Sequence, residues 1–174
     1  MNDGGSKRLW QGRRRWGCEM SEIIRVEPEE LRKSYIKIYL AIENHLSNNS
    51  QLKHKTPHCL LFFYAIECAV KYCWMRKENL CLSPLPQVKD NERHPFYSHS
   101  LDPLIKDLQI PANNLSKYQR NFHLTGHKSS KLINFSQLHQ VWRYGIVIKP
   151  EDEISAVEYL KQIGEYLEQR WQLR

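Results

Sequence analysis

The eight histidines of this sequence are the side chains best suited to bind a metal or to transfer a proton near neutral pH. Two pairs, His54 with His58 and His123 with His127, stand four residues apart, a spacing that places both rings on one face of a helix. Zinc sites commonly use an H-E-x-x-H motif or a C-x2-C pair, and neither accompanies these histidines. The sequence therefore predicts no metal site and no cofactor.

Glu67 and Lys71 are two charged residues in the most apolar stretch of the chain, residues 59–75. Their spacing of four lets them pair on one face of a helix, and an unpaired charge in such surroundings would be costly. The pair is either an internal ion pair alone or part of a binding site that a further cation completes. Arg143, which directly precedes Tyr144, is the candidate cation, and these four residues are then the predicted binding residues.

Apolar residues that recur every three or four positions predict the helices that position these side chains. Pro28, Pro57 and Pro150 mark helix starts, and Pro111 follows a helix end. The five predicted helices cover residues 28–47, 56–79, 101–108, 136–144 and 150 to the C-terminus. The predicted fold class is all-α, an up-and-down bundle of four to five helices.

Three segments between these helices do not follow the helical pattern. Residues 81–99 contain three prolines and are predicted to form a long loop, a kind of segment that often has a function. Residues 112–133 combine some helical spacing with a glycine and a Lys/Ser run, so no single element is predicted there. Residues 145–148 are the one strand-like run, and we expect no sheet from four residues.

Positive charge is unevenly distributed along the 174 residues, whose formal net charge is +7. Residues 1–20 alone carry +3 and lack the apolar segment of a secretory signal. We expect them to be a disordered basic leader or an over-extension upstream of a start at Met20, with residues 21–174 as the folded domain. A basic chain is compatible with an RNA or nucleotide partner.

The charged pair also argues against a membrane span. Glu67 and Lys71 lie near the middle of the apolar stretch, and each would cost about 2.5–3.5 kcal/mol at a bilayer centre. The five cysteines follow no disulfide framework, which favours reduced thiols. We therefore expect a cytoplasmic protein that does not insert into a membrane.

Three segments resemble the motifs of HEPN-domain proteins in order and spacing. Residues 60–72, Leu-Leu-Phe-Phe-Tyr-Ala-Ile-Glu-Cys-Ala-Val-Lys-Tyr, resemble the A-x-E-x-x-x-K helix of that family. His99-Ser100-Leu101 resembles its H-D/S-L element, and Trp142-Arg143-Tyr144 resembles its R-Y segment, which a long C-terminal helix follows. The resemblance covers residues 28–172.

This resemblance implies a small all-α bundle that is usually dimeric. Active members of the family are metal-independent ribonucleases of toxin–antitoxin, phage-defence and CRISPR-linked systems. Their site is an R-x4–6-H motif, in which Arg and His from two protomers meet around the scissile phosphate. Such a pair suits the reaction, because His can transfer a proton near neutral pH and Arg stabilises the charge that develops on phosphate.

The chain departs from that motif, because no histidine follows Arg143 in residues 144–174. We therefore expect a catalytically degenerate HEPN-like protein that serves as an RNA- or nucleotide-binding or protein-interaction subunit. The resemblance implies a defence or toxin–antitoxin system, with a homodimer or a partner protein from the same locus.

Two alternatives stay open. Arg93-x5-His99 and Arg120-x6-His127 match the R-x4–6-H spacing elsewhere in the chain. An active metal-independent endoribonuclease would use His99 or His127 for proton transfer and Arg143 or Arg120 to contact phosphate. The other alternative is a purely structural helical scaffold.

Overall fold

The computed structural model describes residues 25–48, 56–84, 94–111, 121–125 and 132–174. This part of the chain is mostly helical. Its five α helices are α1 Pro28–Asn48, α2 Thr56–Lys77, α3 Asp102–Asp107, α4 Leu138–Arg143 and α5 Pro150–Trp171. The all-α helical bundle predicted from the sequence is confirmed, and every predicted helix has a counterpart.

The ends of the long helices follow from local signals in the sequence. Helices α1 and α5 both begin at a proline, whose missing N–H is not needed in the first turn. Glu29 and Glu30 follow in α1, where negative charge suits the positive end of the helix dipole. Helix α2 ends at Arg76 and Lys77, whose positive charges suit the opposite end. These signals explain why the predicted bounds of α1 and α2 are correct to within two residues.

Helix α2 is central in the bundle and packs against α1, α3, α4 and α5. It buries apolar side chains on several sides, as a helix surrounded by other elements must. Phe63 of α2 is fully buried, and its ring packs against the rings of Phe135, His139 and Trp142. The packing around α2 therefore determines where α4 lies.

A small antiparallel sheet precedes α4. Strand β1, Asn121–His123, pairs with β2, Leu132–Asn134, so that Phe122 lies opposite Ile133. These two central side chains are buried, whereas the residues on either side of them are more exposed. Leu124, just beyond β1, forms a further bridge with Ile148.

The expectation that the chain forms no sheet was wrong. Strands of three residues are too short to display the alternating pattern that marks a strand in a sequence. Each strand is stabilised by the burial of one residue and by hydrogen bonds to its partner strand. A run of three residues in a sequence reveals neither the burial nor the pairing. The strand-like run at 145–148 forms no strand of its own, but Ile148 forms the bridge to Leu124 and the carbonyl of Val147 accepts the N–H of Thr125.

Two smaller differences concern helix bounds. The helix predicted over residues 136–144 is a 3-10 turn, Phe135–Gln137, followed by α4. The helix predicted over residues 101–108 spans Asp102–Asp107 in the structure, one residue less at each end. The basic leader predicted for residues 1–20 lies outside the described residues. No helix in the described ranges is long and apolar enough to cross a membrane.

We predict that Phe63→Ala lowers the free energy of unfolding by about 3–5 kcal/mol, because it removes a fully buried ring and leaves a cavity between α2 and α4. Leu61→Ala is the matched control, since Leu61 lies on the same helix but is exposed. Its effect should stay below about 0.5 kcal/mol. Denaturant unfolding measures both values, and equal losses would contradict the packing of α2.

Candidate functional site

Glu67 and Lys71 form a close ion pair on α2, as their spacing predicts. The Lys71 Nζ atom lies 2.6 Å from Oε1 of Glu67, and the side chains are 13% and 8% exposed. The ammonium group of Lys71 also lies 5.3 Å from the centre of the Phe96 ring, a cation–π arrangement. The Glu67 carboxylate is therefore buried beside a cation that neutralises its charge.

His99 is the second partner of the Glu67 carboxylate. Its Nδ1 atom lies 3.0 Å from Oε2 and 3.2 Å from Oε1 of Glu67. An ionised carboxylate only accepts hydrogen bonds, so Nδ1 is the donor and Nε2 carries the lone pair of the neutral ring. The His99 side chain is 44% exposed, so the imidazole contacts the buried carboxylate on one side and solvent on the other.

The segment before α3 holds His99 in this position. It contains the 3-10 turn Pro95–Tyr97, whose Phe96 is buried, and it ends at the fully buried Leu101. Between them, the backbone N–H of Ser100 donates to Oγ of Ser98 at 2.9 Å. Two buried anchors on either side of His99 therefore fix its backbone against α2.

His139 of α4 stacks against His99, with ring centres 4.4 Å apart. Its Nδ1–H donates to the backbone carbonyl of Ser136 at 2.9 Å, which leaves Nε2 as the acceptor. The residue is buried, and burial is the main cause that lowers the pKa of its imidazole below the usual value, against smaller opposing effects of the Ser136 hydrogen bond and the Glu67 carboxylate. His139 is therefore a neutral imidazole at pH 7.

Arg143 stands four residues after His139, at the end of α4, and therefore on the same side of the helix. Its side chain is exposed, and its charge is close enough to affect the pKa of His139. Tyr144 follows at the end of the helix and is 71% exposed. An exposed arginine thus lies near His139, and an exposed aromatic ring follows it at the end of α4.

The structure changes the arrangement expected from the sequence. Of the two alternatives left open for the Glu67–Lys71 pair, one had Arg143 complete a cluster with it, but within the described ranges no ion pair joins Arg143 to the Glu67 carboxylate. His99 occupies that place, because α4 directs Arg143 toward solvent. The candidate residues His127 and Arg120 lie outside the described residues, as does Arg93.

His139 is the site residue that sequence reasoning missed. One signal was present, since His139 and Arg143 stand four apart on a predicted helix, which places an imidazole and a guanidinium on one face. Glu67, Lys71, His99, His139 and Arg143 thus form what we call the histidine cluster. It combines a surface imidazole backed by a carboxylate with a neutral imidazole and an exposed cation, groups that can transfer protons beside an anion.

Comparisons of the chain with protein-family models, with curated proteins and with solved structures give no match. Within the part of the chain that the structure describes, no three His, Cys, Asp or Glu side chains lie close enough together to hold a metal ion. The histidine cluster and the sequence motifs are therefore the features that bear on function.

We predict that Glu67→Ala lowers the free energy of unfolding by about 3–5 kcal/mol, because it leaves the Lys71 ammonium buried without its partner. Replacing both Glu67 and Lys71 with methionine should restore most of that loss, since no unpaired charge remains. The matched control is Glu165→Ala, which breaks the exposed pair with Lys161 and should cost less than about 1 kcal/mol. Denaturant unfolding measures the free energy of unfolding of the three variants and shows whether loss of the buried ion pair costs more than loss of the exposed one.

We predict a second effect on stability, which depends on pH and on His139. The folded state lowers the pKa of this group, so the unfolded chain binds its proton more readily. Stability is therefore complete above the unfolded pKa of about 6.5 and is lost as the pH falls toward the lower folded pKa. His139→Phe keeps a ring but removes this titration. Between pH 7 and pH 5 the native protein should lose more unfolding free energy than the variant, and parallel curves would contradict the prediction.

Proposed function

We propose that the chain is a HEPN-like endoribonuclease that cleaves RNA without a metal ion, with His99 and Arg143 in contact with the reacting phosphate. The observation that carries the proposal is the hydrogen bond between the exposed imidazole of His99 and the buried carboxylate of Glu67. The resemblance to HEPN motifs supplies RNA as the substrate class.

The buried carboxylate suits catalysis better than simple binding. It fixes which ring nitrogen of His99 bears the proton and how the ring is turned, the role that a carboxylate has behind the histidine of many hydrolases. Nε2 is then free to exchange a proton with a substrate. A residue that only contacted phosphate would need no carboxylate, whose negative charge would weaken anion binding.

The reaction that fits these groups is transfer of the phosphodiester to the neighbouring 2′-hydroxyl. Nε2 of His99 accepts the 2′-hydroxyl proton as that oxygen attacks phosphorus. The bond from phosphorus to O5′ breaks, and O5′ takes a proton from solvent. Arg143 donates hydrogen bonds to the phosphate oxygens, whose charge increases in the transition state. The products are a 2′,3′-cyclic phosphate and a 5′-hydroxyl end.

A second candidate function is that of a catalytically degenerate subunit that binds RNA or a nucleotide. The observation that favours it is the absence of histidine from residues 144–174, where the family motif would require one after Arg143. The resemblance extends either proposal to a cytoplasmic homodimer, or a complex with a partner protein, in toxin–antitoxin or antiviral defence.

We predict that the purified protein cleaves end-labelled single-stranded RNA in the presence of EDTA and leaves a 2′,3′-cyclic phosphate. His99→Ala should reduce the rate by about 10²–10⁴-fold through loss of proton transfer. Arg143→Ala should reduce it by about 10²–10³-fold through loss of charge stabilisation. A 2′-deoxy nucleotide at the cleaved position should block the reaction, because it removes the attacking hydroxyl.

Two matched controls separate chemistry from folding. His123→Asn removes a histidine that also bonds a buried carboxylate, that of Asp152, at 2.8 Å, and Arg170→Ala removes an exposed arginine of α5. Both should keep the native rate once matched for folded fraction. Binding without cleavage, weaker at high salt, would favour the degenerate subunit. RNA that is neither bound nor cleaved would contradict both functions and leave a structural scaffold.

A further inference from the structure

Tyr144 is the most exposed of the large apolar and aromatic side chains in the described ranges, at 71%. A tyrosine ring in water forgoes the burial that usually stabilises aromatic side chains. An aromatic face open to solvent is also the group on which proteins stack unpaired nucleic-acid bases. The exposure of this ring therefore has a chemical use if RNA passes beside it.

The backbone of Tyr144 is held in a defined place. Its N–H donates to the carbonyl of Gln140 at 3.0 Å, which closes the last turn of α4. The chain then turns at Gly145, which has a positive φ of 64°. Thr125 donates its N–H to the carbonyl of Val147 at 2.9 Å, so the segment after the turn is attached to β1. The ring is thus presented from a fixed end of a helix.

The turn that follows Tyr144 is uncrowded. Apart from its two chain neighbours, no described residue lies within 4 Å of the position that a Cβ atom would take on Gly145. Val147, two residues further, is also exposed and extends the apolar surface. Arg143 precedes Tyr144 directly in the sequence and is also exposed. A cation for phosphate and an aromatic ring for a base therefore belong to consecutive exposed residues at the end of α4.

We propose that Tyr144, which directly follows Arg143 of the histidine cluster, is a base-stacking residue, and that its ring takes the base of the nucleotide next to the phosphate bound by Arg143. This inference rests on the proposed function. A base inside a duplex is already stacked on its neighbours and cannot offer a face to the ring, so Tyr144 selects RNA that is unpaired at this nucleotide.

Affinity for a non-cleavable RNA tests this role. The probe is a single-stranded oligonucleotide with 2′-O-methyl groups throughout, measured by fluorescence anisotropy at fixed salt. Tyr144→Leu should weaken binding by about 5- to 150-fold, the range reported for loss of one aromatic–base stack. Tyr144→Phe keeps the ring and is the matched control, with affinity close to that of the native protein. Both substitutions are at an exposed residue, and equal melting temperatures verify folding.

A set of probes that each lack one base identifies the stacked nucleotide. On the native protein, one position should weaken binding to the same extent as Tyr144→Leu does. On Tyr144→Leu, removal of that same base should have no additional effect, because the stack is already lost. Equal affinities of the native protein and Tyr144→Leu, with weaker binding by Arg143→Ala, would overturn the role of Tyr144 and leave the proposed function standing. No binding by the native protein would overturn both.

Discussion

The buried carboxylate of Glu67 is the constraint on which the arrangement of the histidine cluster depends. An ionised carboxylate within the most apolar helix of the chain is tolerated only where cations and hydrogen-bond donors compensate for lost water. Lys71, one turn along α2, supplies the charge, and the Nδ1–H of His99 supplies a second donor. The requirement to satisfy one carboxylate therefore holds the segment before α3 against α2.

His99 also contacts α4, through His139. Once its ring is fixed by Glu67, the stacked ring of His139 lies 4.4 Å away and extends the contact from α2 to α4. Phe63, one turn before Glu67, is fully buried and its ring also packs against His139, with ring centres 5.6 Å apart. Because α4 is short, the placement of His139 also determines the direction of Arg143. The position of the exposed Arg143 on α4 therefore depends on the buried carboxylate of Glu67 on α2.

The sequence predicts what depends on neighbouring residues and misses what depends on distant ones. The bounds of α1 and α2 follow from the spacing of apolar residues and from the charged residues at the helix ends. The Glu67–Lys71 pair follows from a spacing of four residues in an apolar stretch. The contact between His99 and Glu67 joins residues 32 apart in the sequence, so no local pattern encodes it. Whether Arg143 joins the Glu67–Lys71 pair could not be decided from the sequence for the same reason, since a spacing along the chain does not give the direction of a helix.

The chain contains a second histidine–carboxylate pair, and comparing the two shows what distinguishes a site. His123 bonds Asp152 through Nδ1 at 2.8 Å, but Asp152 also accepts the backbone N–H of His123 at 2.6 Å. Asp152 lies in the first turn of α5, so this pair fastens β1 to the start of that helix. In the Glu67–His99 pair, the carboxylate does not also accept the backbone N–H of its histidine. Instead, the His99 ring stacks on His139, and the charge of Arg143 lies close to His139. A carboxylate behind a histidine is therefore insufficient by itself, and the neighbouring imidazole and cation are what make the histidine cluster suited to chemistry on phosphate.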